Sequence, residues 1–112
     1  MRIEYSGACD KGLNRSINQD AVLMEVREEC ALFAVADGMG GHSAGEVASS
    51  IAITHLAKDF NENFHNMSKM EAVNFLRDSV NEINDSIFRH EKTHPESKGM
   101  GTTLVTAIIT KD

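Results

Sequence analysis

The densest chemistry in this sequence lies at Asp37-Gly38, which closes an apolar run and leads through Met39-Gly40-Gly41 into helix-forming residues. A strand, a glycine-rich turn and a helix N-terminus together seat an anion, because glycines let the backbone approach and free N–H groups and the helix dipole favour negative charge. The dinucleotide-binding fingerprint is incomplete, since Gly38-Met39-Gly40 runs into Gly41-His42-Ser43 without its third glycine. Asp37 also puts a carboxylate at the mouth of the seat, and two anions a few ångströms apart repel unless a cation lies between them. Hard divalent ions such as Mg²⁺ and Mn²⁺ take carboxylate and carbonyl oxygens. An acid beside a flexible backbone therefore favours a metal-bridged phosphate over a nucleotide cradle. Taken alone, an Asp-Gly pair is more often an ordinary turn.

A second constellation lies upstream in Asp10-Lys11-Gly12-Leu13-Asn14-Arg15-Ser16-Ile17-Asn18-Gln19-Asp20. Asp20 immediately precedes one apolar run, Ala21–Val26, and Asp37 immediately follows the next, Cys30–Ala36. The link between the runs is the polar turn Arg27-Glu28-Glu29, which suggests an antiparallel hairpin. In such a hairpin the beginning of one strand and the end of the next share one edge, so the two carboxylates converge. Two carboxylates with waters make a plausible Mg²⁺ or Mn²⁺ site where one would not. Arg15 can reach the same edge and offer a planar fork to phosphate. A surface ion pair between Arg15 and Asp20 is the competing reading, and composition alone favours it.

The positioning elements follow from periodicity. Ile3–Cys9 reads as a short strand ended by Asp10-Lys11-Gly12. Cys30–Ala36 is apolar throughout, which predicts cover on both faces. Ser43-Ala44-Gly45-Glu46 has capping-box spacing and opens a helix whose apolar line is Val47, Ile51, Leu56, Phe60 and Phe64. Ser68-Lys69-Met70-Glu71 opens a second helix with Val73, Leu76, Val80, Ile83 and Ile87 on one face, stopping before Pro95. After Gly99-Met100-Gly101, the β-branched segment Thr102–Thr110 reads as an interior strand. An interior strand needs neighbours, or it offers its edge to other chains.

Composition narrows the class. The 112 residues are one domain's worth of sequence, and 41% of them are hydrophobic, which excludes wholesale disorder. With 17 acidic against 11 basic residues the net charge is -6, the wrong sign for a nucleic-acid surface. No apolar run reaches the roughly 18 residues of a membrane span, and the first residues lack a secretory h-region. Cys9 and Cys30 read as thiols in a reducing compartment, without a nearby base to make either a nucleophile. The expected location is cytoplasmic.

Three motifs, in order, resemble the metal-dependent serine/threonine protein phosphatases of type 2C, particularly the bacterial ones. They are Asp10-x-Gly12-x-x-Arg15-x-x-Asn18-Gln19-Asp20, then Phe33-Ala34-Val35-Ala36-Asp37-Gly38-Met39-Gly40-Gly41-His42, then Gly99-Met100-Gly101-Thr102-Thr103-Leu104. The first two are highly specific, the third weak alone. The resemblance implies an α+β fold, part of an α-β-β-α sandwich of antiparallel sheets flanked by helix pairs. It also implies hydrolysis of phosphoserine and phosphothreonine on proteins at a binuclear Mn²⁺ or Mg²⁺ centre. Asp37 would bridge the metals, Gly38 would lend a carbonyl, Asp20 would hold the metal shell directly or through water, and Arg15 would bind the substrate phosphate. The metals would lower the pKa of a shared water, and the resulting hydroxide would attack phosphorus in line without a covalent enzyme intermediate.

Two departures accompany the resemblance. Eukaryotic members commonly carry a histidine after the Asp-Gly pair, proposed as general acid, where this chain has Met39. His42 lies three residues on, with a packing role at least as favoured as a proton-donating one. Family domains also continue with a Gly-Asp strand motif and further aspartates that these residues do not contain. Residues 1–112 are therefore expected to form one partial domain, the N-terminal half, incomplete at the C-terminus and holding only part of the metal site.

Other candidates are weaker. His90 and His94 have i, i+4 spacing but no evident third ligand, so surface residues are expected. His55 and His65 have no apparent partners, Met67 and Met70 read as gap fillers, and Thr102-Thr103 could touch phosphate but reads more simply as strand packing. The expected partner is a phosphorylated protein, with a serine/threonine kinase acting in opposition, no nucleic acid and no membrane. The exposed last strand offers a route to homo-oligomers. Two further readings stand beside this one: a non-catalytic truncated phosphatase-like protein acting through chain pairing, and a nucleotide-binding module using the glycine turn.

Overall fold

A computed structural model of the chain describes residues 20–40, 44–65 and 67–110. The expected strand Ile3–Cys9, the loop with Arg15, and Gly41, His42 and the Ser43 cap lie outside them. The described elements are strands β1 (Asp20–Val26) and β2 (Cys30–Met39), helices α1 (Ala44–Asn63) and α2 (Lys69–Thr93), a short 3-10 turn at Pro95–Ser97, and strands β3 (Gly101–Thr102) and β4 (Val105–Thr110). All strand pairings are antiparallel, with β2 between β1 on one side and β3 and β4 on the other. The architecture is α+β.

The hairpin forms where apolar alternation meets the charged turn at Arg27-Glu28-Glu29, which the Arg27 N–H closes onto the Cys30 carbonyl at 2.8 Å. The Arg27 guanidinium reaches the C-terminal end of α1. It donates to the carbonyls of Phe60 (2.9 Å) and Phe64 (3.1 Å) and to Asn61 Oδ1 (3.0 Å), while lying 4.2 Å from the centroid of the Phe60 ring. The last turn of α1 has no basic residue of its own, so the hairpin supplies the cation that the carbonyl end of a helix favours.

The core sits between one sheet face and the helices: Leu32 and Ala34 from β2 meet Ala52, Leu56 and Phe60 from α1, Phe64 and Ile83. Among the described residues, the expected cover on both faces of β2 is not found. Beyond its first residues β2 alternates between buried and exposed, Val35 is 50% exposed, and in β4 Val105 and Ile109 are 72% and 43% exposed. Strand β4 is likewise not interior among the described residues, where its strand partner is β2, and it alternates accordingly. The expected continuous strand over Thr102–Thr110 breaks at Thr103-Leu104.

The helix faces also differ from the periodicity. On α1 the deepest line is Ala44, Ala48, Ala52, Leu56 and Phe60, with Val47 and Ile51 only partly buried. Alanines let the helix approach the sheet, a signal that a search for large apolar residues passes over. On α2, Ile83 and Ser79 are buried but Val73 and Val80 are each 43% exposed. The Ser79 hydroxyl donates to Asp59 Oδ2 at 2.5 Å, so this small polar residue faces α1 where the rhythm places the valines.

The second capping box is fully formed. Ser68 Oγ accepts from the Glu71 N–H at 3.1 Å, and Glu71 Oε1 accepts from the Ser68 N–H at 3.1 Å. The helix ends at Thr93, before Pro95 as expected. The backbone N–H of Ser68, with its side chain, holds the Glu71 carboxyl below its ordinary range. A lowered folded-state value stabilises the fold above the unfolded pKa, and that contribution disappears as pH falls through the folded value. Ser68→Ala is expected to cost about 1 kcal/mol in urea unfolding at pH 7. Glu71→Gln should remove its part of the acid dependence, and a pH 7 to pH 3 stability difference identical to the parent's would contradict this account of Glu71.

Candidate functional site

Strand register decides where the two candidate carboxylates lie. Asp20 is the direct cross-strand partner of Asp37 at the open end of the β1–β2 hairpin. Directly opposed residues project from the same sheet face. The Asp37 N–H donates to Thr103 Oγ1 at 3.2 Å, and the Asp37 carbonyl accepts from the Thr103 N–H at 2.9 Å. Asp37 thus turns its backbone groups toward the β3 side, so its pairing with Asp20 is of the narrow type, in which Cα atoms lie about 4.5 Å apart. By the same alternation the backbone groups of Gly38 face the β1 side, where Asp20 lies. Asp37 is exposed, Asp20 is half-buried with Oδ1 shielded from solvent, and Gly38 is buried.

Thr103 stands in the weakest of the three sequence motifs, which alone does not signal that it holds Asp37. Its expected role was strand packing, yet it occupies the break between β3 and β4 and fixes the backbone of Asp37. The signal was its position beside the Gly-Met-Gly turn. Gly38 and Met39 pair with Thr102 and Gly101, so that turn closes over the Asp-Gly step.

Gly40 ends this corner with φ +144°, a region that L side chains rarely adopt. A Cβ there would stand 2.9 Å from the Ala44 Cβ and 3.3 Å from the Met100 Cα. Gly40→Ala is therefore expected to cost about 1–3 kcal/mol. Thermal unfolding would measure it, and an unchanged Tm would show that the turn relaxes freely.

The donor set suits a divalent cation. Like charges directly opposed on adjacent strands destabilise a sheet, and a cation between them reverses the sign. Asp20 and Asp37 with the Gly38 carbonyl supply the oxygen ligands that Mg²⁺ and Mn²⁺ prefer. Arg15 lies outside the described residues, as does His42. Met39, where a histidine would be the eukaryotic pattern, is 53% exposed.

The remaining histidines divide. The rings of His90 and His94 stack in parallel, with centroids 3.9 Å apart, and His94 Nδ1 contacts the His90 carbonyl. His65 Nδ1 lies 3.1 Å from the Asn63 carbonyl. His55 does have partners, contrary to expectation, because α2 places Glu82 beside it with 3.0 Å between Nε2 and Oε2. Cys30 is a buried free thiol. Among the described residues no helix is long and apolar enough to cross a membrane.

The sequence profile of the family described as Protein phosphatase 2C matches residues 13–112, which include the paired aspartates, the glycine corner and Thr103. The chain belongs to this family. Similar proteins include the serine/threonine phosphatase stp of Listeria welshimeri, 37% identical over 103 residues, spanning 91% of this chain and 41% of that one. Another is the serine/threonine protein phosphatase PstP of Mycobacterium tuberculosis, 39% identical over 109 residues, spanning 96% of this chain and 19% of that one. A solved catalytic domain of PstP in complex with two manganese ions superposes with a TM-score of 0.79 at 35% identity, covering 94% of this chain and 42% of that one. The chain thus spans less than half the length of these relatives.

Proposed function

We propose that this chain carries the N-terminal part of a protein serine/threonine phosphatase site, in which Asp20, Asp37 and the Gly38 carbonyl hold Mn²⁺ or Mg²⁺ and Arg15 holds the substrate phosphate. The observation that carries this reading is the direct pairing of Asp20 with Asp37. The two manganese ions of the PstP structure and the stp and PstP names support the metal and the reaction. When bound, such ions neutralise phosphoryl charge and lower the pKa of water so that hydroxide is available near neutral pH.

The chain's own residues would do the rest. Asp37 and Asp20 fix the positions of positive charge at the sheet edge, and Thr103 keeps the Asp37 backbone from shifting. Arg15 presents two parallel donors to the phosphate and offsets charge on its equatorial oxygens during in-line displacement. The substrates are phosphoserine and phosphothreonine proteins, and the enzyme opposes a serine/threonine kinase in the cytoplasm. On this reading residues 1–112 form one domain unit, matched to 41% of the length of stp and 42% of the solved PstP catalytic domain.

The exposure of Val35, Val105 and Ile109 favours a second reading, in which this sheet face and the β4 edge pair with another chain without catalysis. The test is divalent-dependent phosphate release from phosphoserine and phosphothreonine peptides, with Mn²⁺ calorimetry, for this chain and Asp37→Asn. Equal Mn²⁺ affinity in the two proteins would overturn the assigned role. Mn²⁺ binding sensitive to Asp37 but without turnover would select the second reading.

A further inference from the structure

Helices α1 and α2 bring together three potential ligands far from the sheet edge. His55 and Asp59 are four residues apart on α1 and share a face, and Glu82 meets them from α2. One ligand atom from each lies within 4.8 Å of the others, with His55 Nε2 and Glu82 Oε2 at 3.0 Å. Donors around a tetrahedral ion with bonds of about 2.1 Å stand roughly 3.4 Å apart, so small rotamer adjustments would close the set.

The Asp59 carboxylate is held toward α2 by Ser79, whose side chain is fully buried and whose hydroxyl donates to Oδ2 at 2.5 Å. Asn63 Nδ2 donates to Oδ1 at 2.6 Å. A carboxylate has about four lone-pair positions, so both bonds leave acceptor capacity on Asp59. A simple His55–Glu82 ion pair accounts for neither the approach of Asp59 nor its orientation by a buried hydroxyl. Two carboxylates against one imidazole leave negative charge that a divalent ion neutralises. Side-chain exposures of 29% for His55 and 58% for Glu82 leave room for water to complete the coordination.

We propose that His55, Asp59 and Glu82 form a separate site for a borderline divalent transition ion such as Zn²⁺, which staples α1 to α2. Imidazole with two carboxylates suits such an ion better than Mg²⁺, which prefers oxygen donors throughout. His55 lies 11 residues beyond Ala44 at the start of α1, or about 16 Å along the helix, so the site shares no ligand with Asp20 and Asp37. Its occupation ties the helix pair together and acts on stability.

The test uses the tag-free chain carrying Asp37→Asn, which keeps the sheet-edge site out of the measurement, with the parent chain in parallel. Zinc calorimetry should show one equivalent bound, and Zn²⁺ at 100-fold over its Kd should raise Tm by roughly 10 °C. His55→Gln and Glu82→Gln should each weaken Zn²⁺ binding at least tenfold and remove the shift, with far-UV circular dichroism unchanged. His90→Gln with His94→Gln should leave both intact. Undiminished affinity in the His55 and Glu82 variants, or loss of binding on changing His90 and His94, would overturn the proposal. Because Asp37 is already neutral in this background, the outcome is independent of the phosphatase reading.

Discussion

Asp37→Asn is expected to lower Mn²⁺-dependent phosphopeptide hydrolysis by on the order of 10³-fold, the scale on which removal of a preorganised charge partner acts. Asparagine keeps the shape and one oxygen of aspartate but deletes the charge that faces Asp20 across the strand pair. Mn²⁺ affinity should fall at least tenfold with it. Stability should respond in the opposite direction without metal. Relieving two opposed carboxylates gains up to a few tenths of a kcal/mol, so the metal-free variant should melt at the parent's temperature or slightly above it. The parent should gain stability from Mn²⁺ and the variant should not. Joint loss of metal response and of metal-free stability would mean that Asp37 acts mainly through folding, and the functional assignment would fail.

The largest stability effect is expected at Phe60. Its side chain is fully buried, its ring stacks on Phe64 with centroids 5.0 Å apart, and the Arg27 guanidinium covers it. Truncation to alanine costs about 3–5 kcal/mol in transfer and cavity terms. That is a large part of the 5–15 kcal/mol typical of a whole domain. The expected Tm loss is roughly 15 °C or more. Arg27→Met, which keeps an apolar stem but loses three hydrogen bonds, should cost about 1–3 kcal/mol. Urea unfolding with an unchanged m-value would attribute both losses to the native state. A Phe60→Ala loss below 1 kcal/mol would mean that the surrounding core collapses into the space.

Much of this arrangement was legible in the sequence because its signals are local. Ser68 and Glu71 announce a capping box three residues apart, and Pro95 limits α2. The run Ala21–Val26, the charged turn and Cys30–Ala36 announce a hairpin, from which the approach of Asp20 to Asp37 follows by geometry alone. What escaped was long-range. Val73 and Val80 fit the helical rhythm but are 43% exposed, while Ser79, Ile83 and Leu76 of α2 turn toward α1 and the core. The apolar run of β2 predicts cover on both faces, whereas the described structure provides one. Thr103 and Asp37 are 66 residues apart, and no spacing rule connects them. His55 gained Glu82 in the same way, from a neighbouring helix.

The pairing of Asp20 and Asp37 on adjacent strands also has a bearing on ion choice. Ligands carried by a flexible loop can spread to admit a larger ion, but the backbones that carry these two are held at interstrand spacing, which leaves side-chain rotation as the means of adjustment. On the proposed reading, ions with metal–oxygen bonds near 2.1 Å and six ligands ask little more of such a pair than a few waters, whereas Ca²⁺, at 2.3–2.6 Å and with up to eight ligands, would call on further oxygen donors.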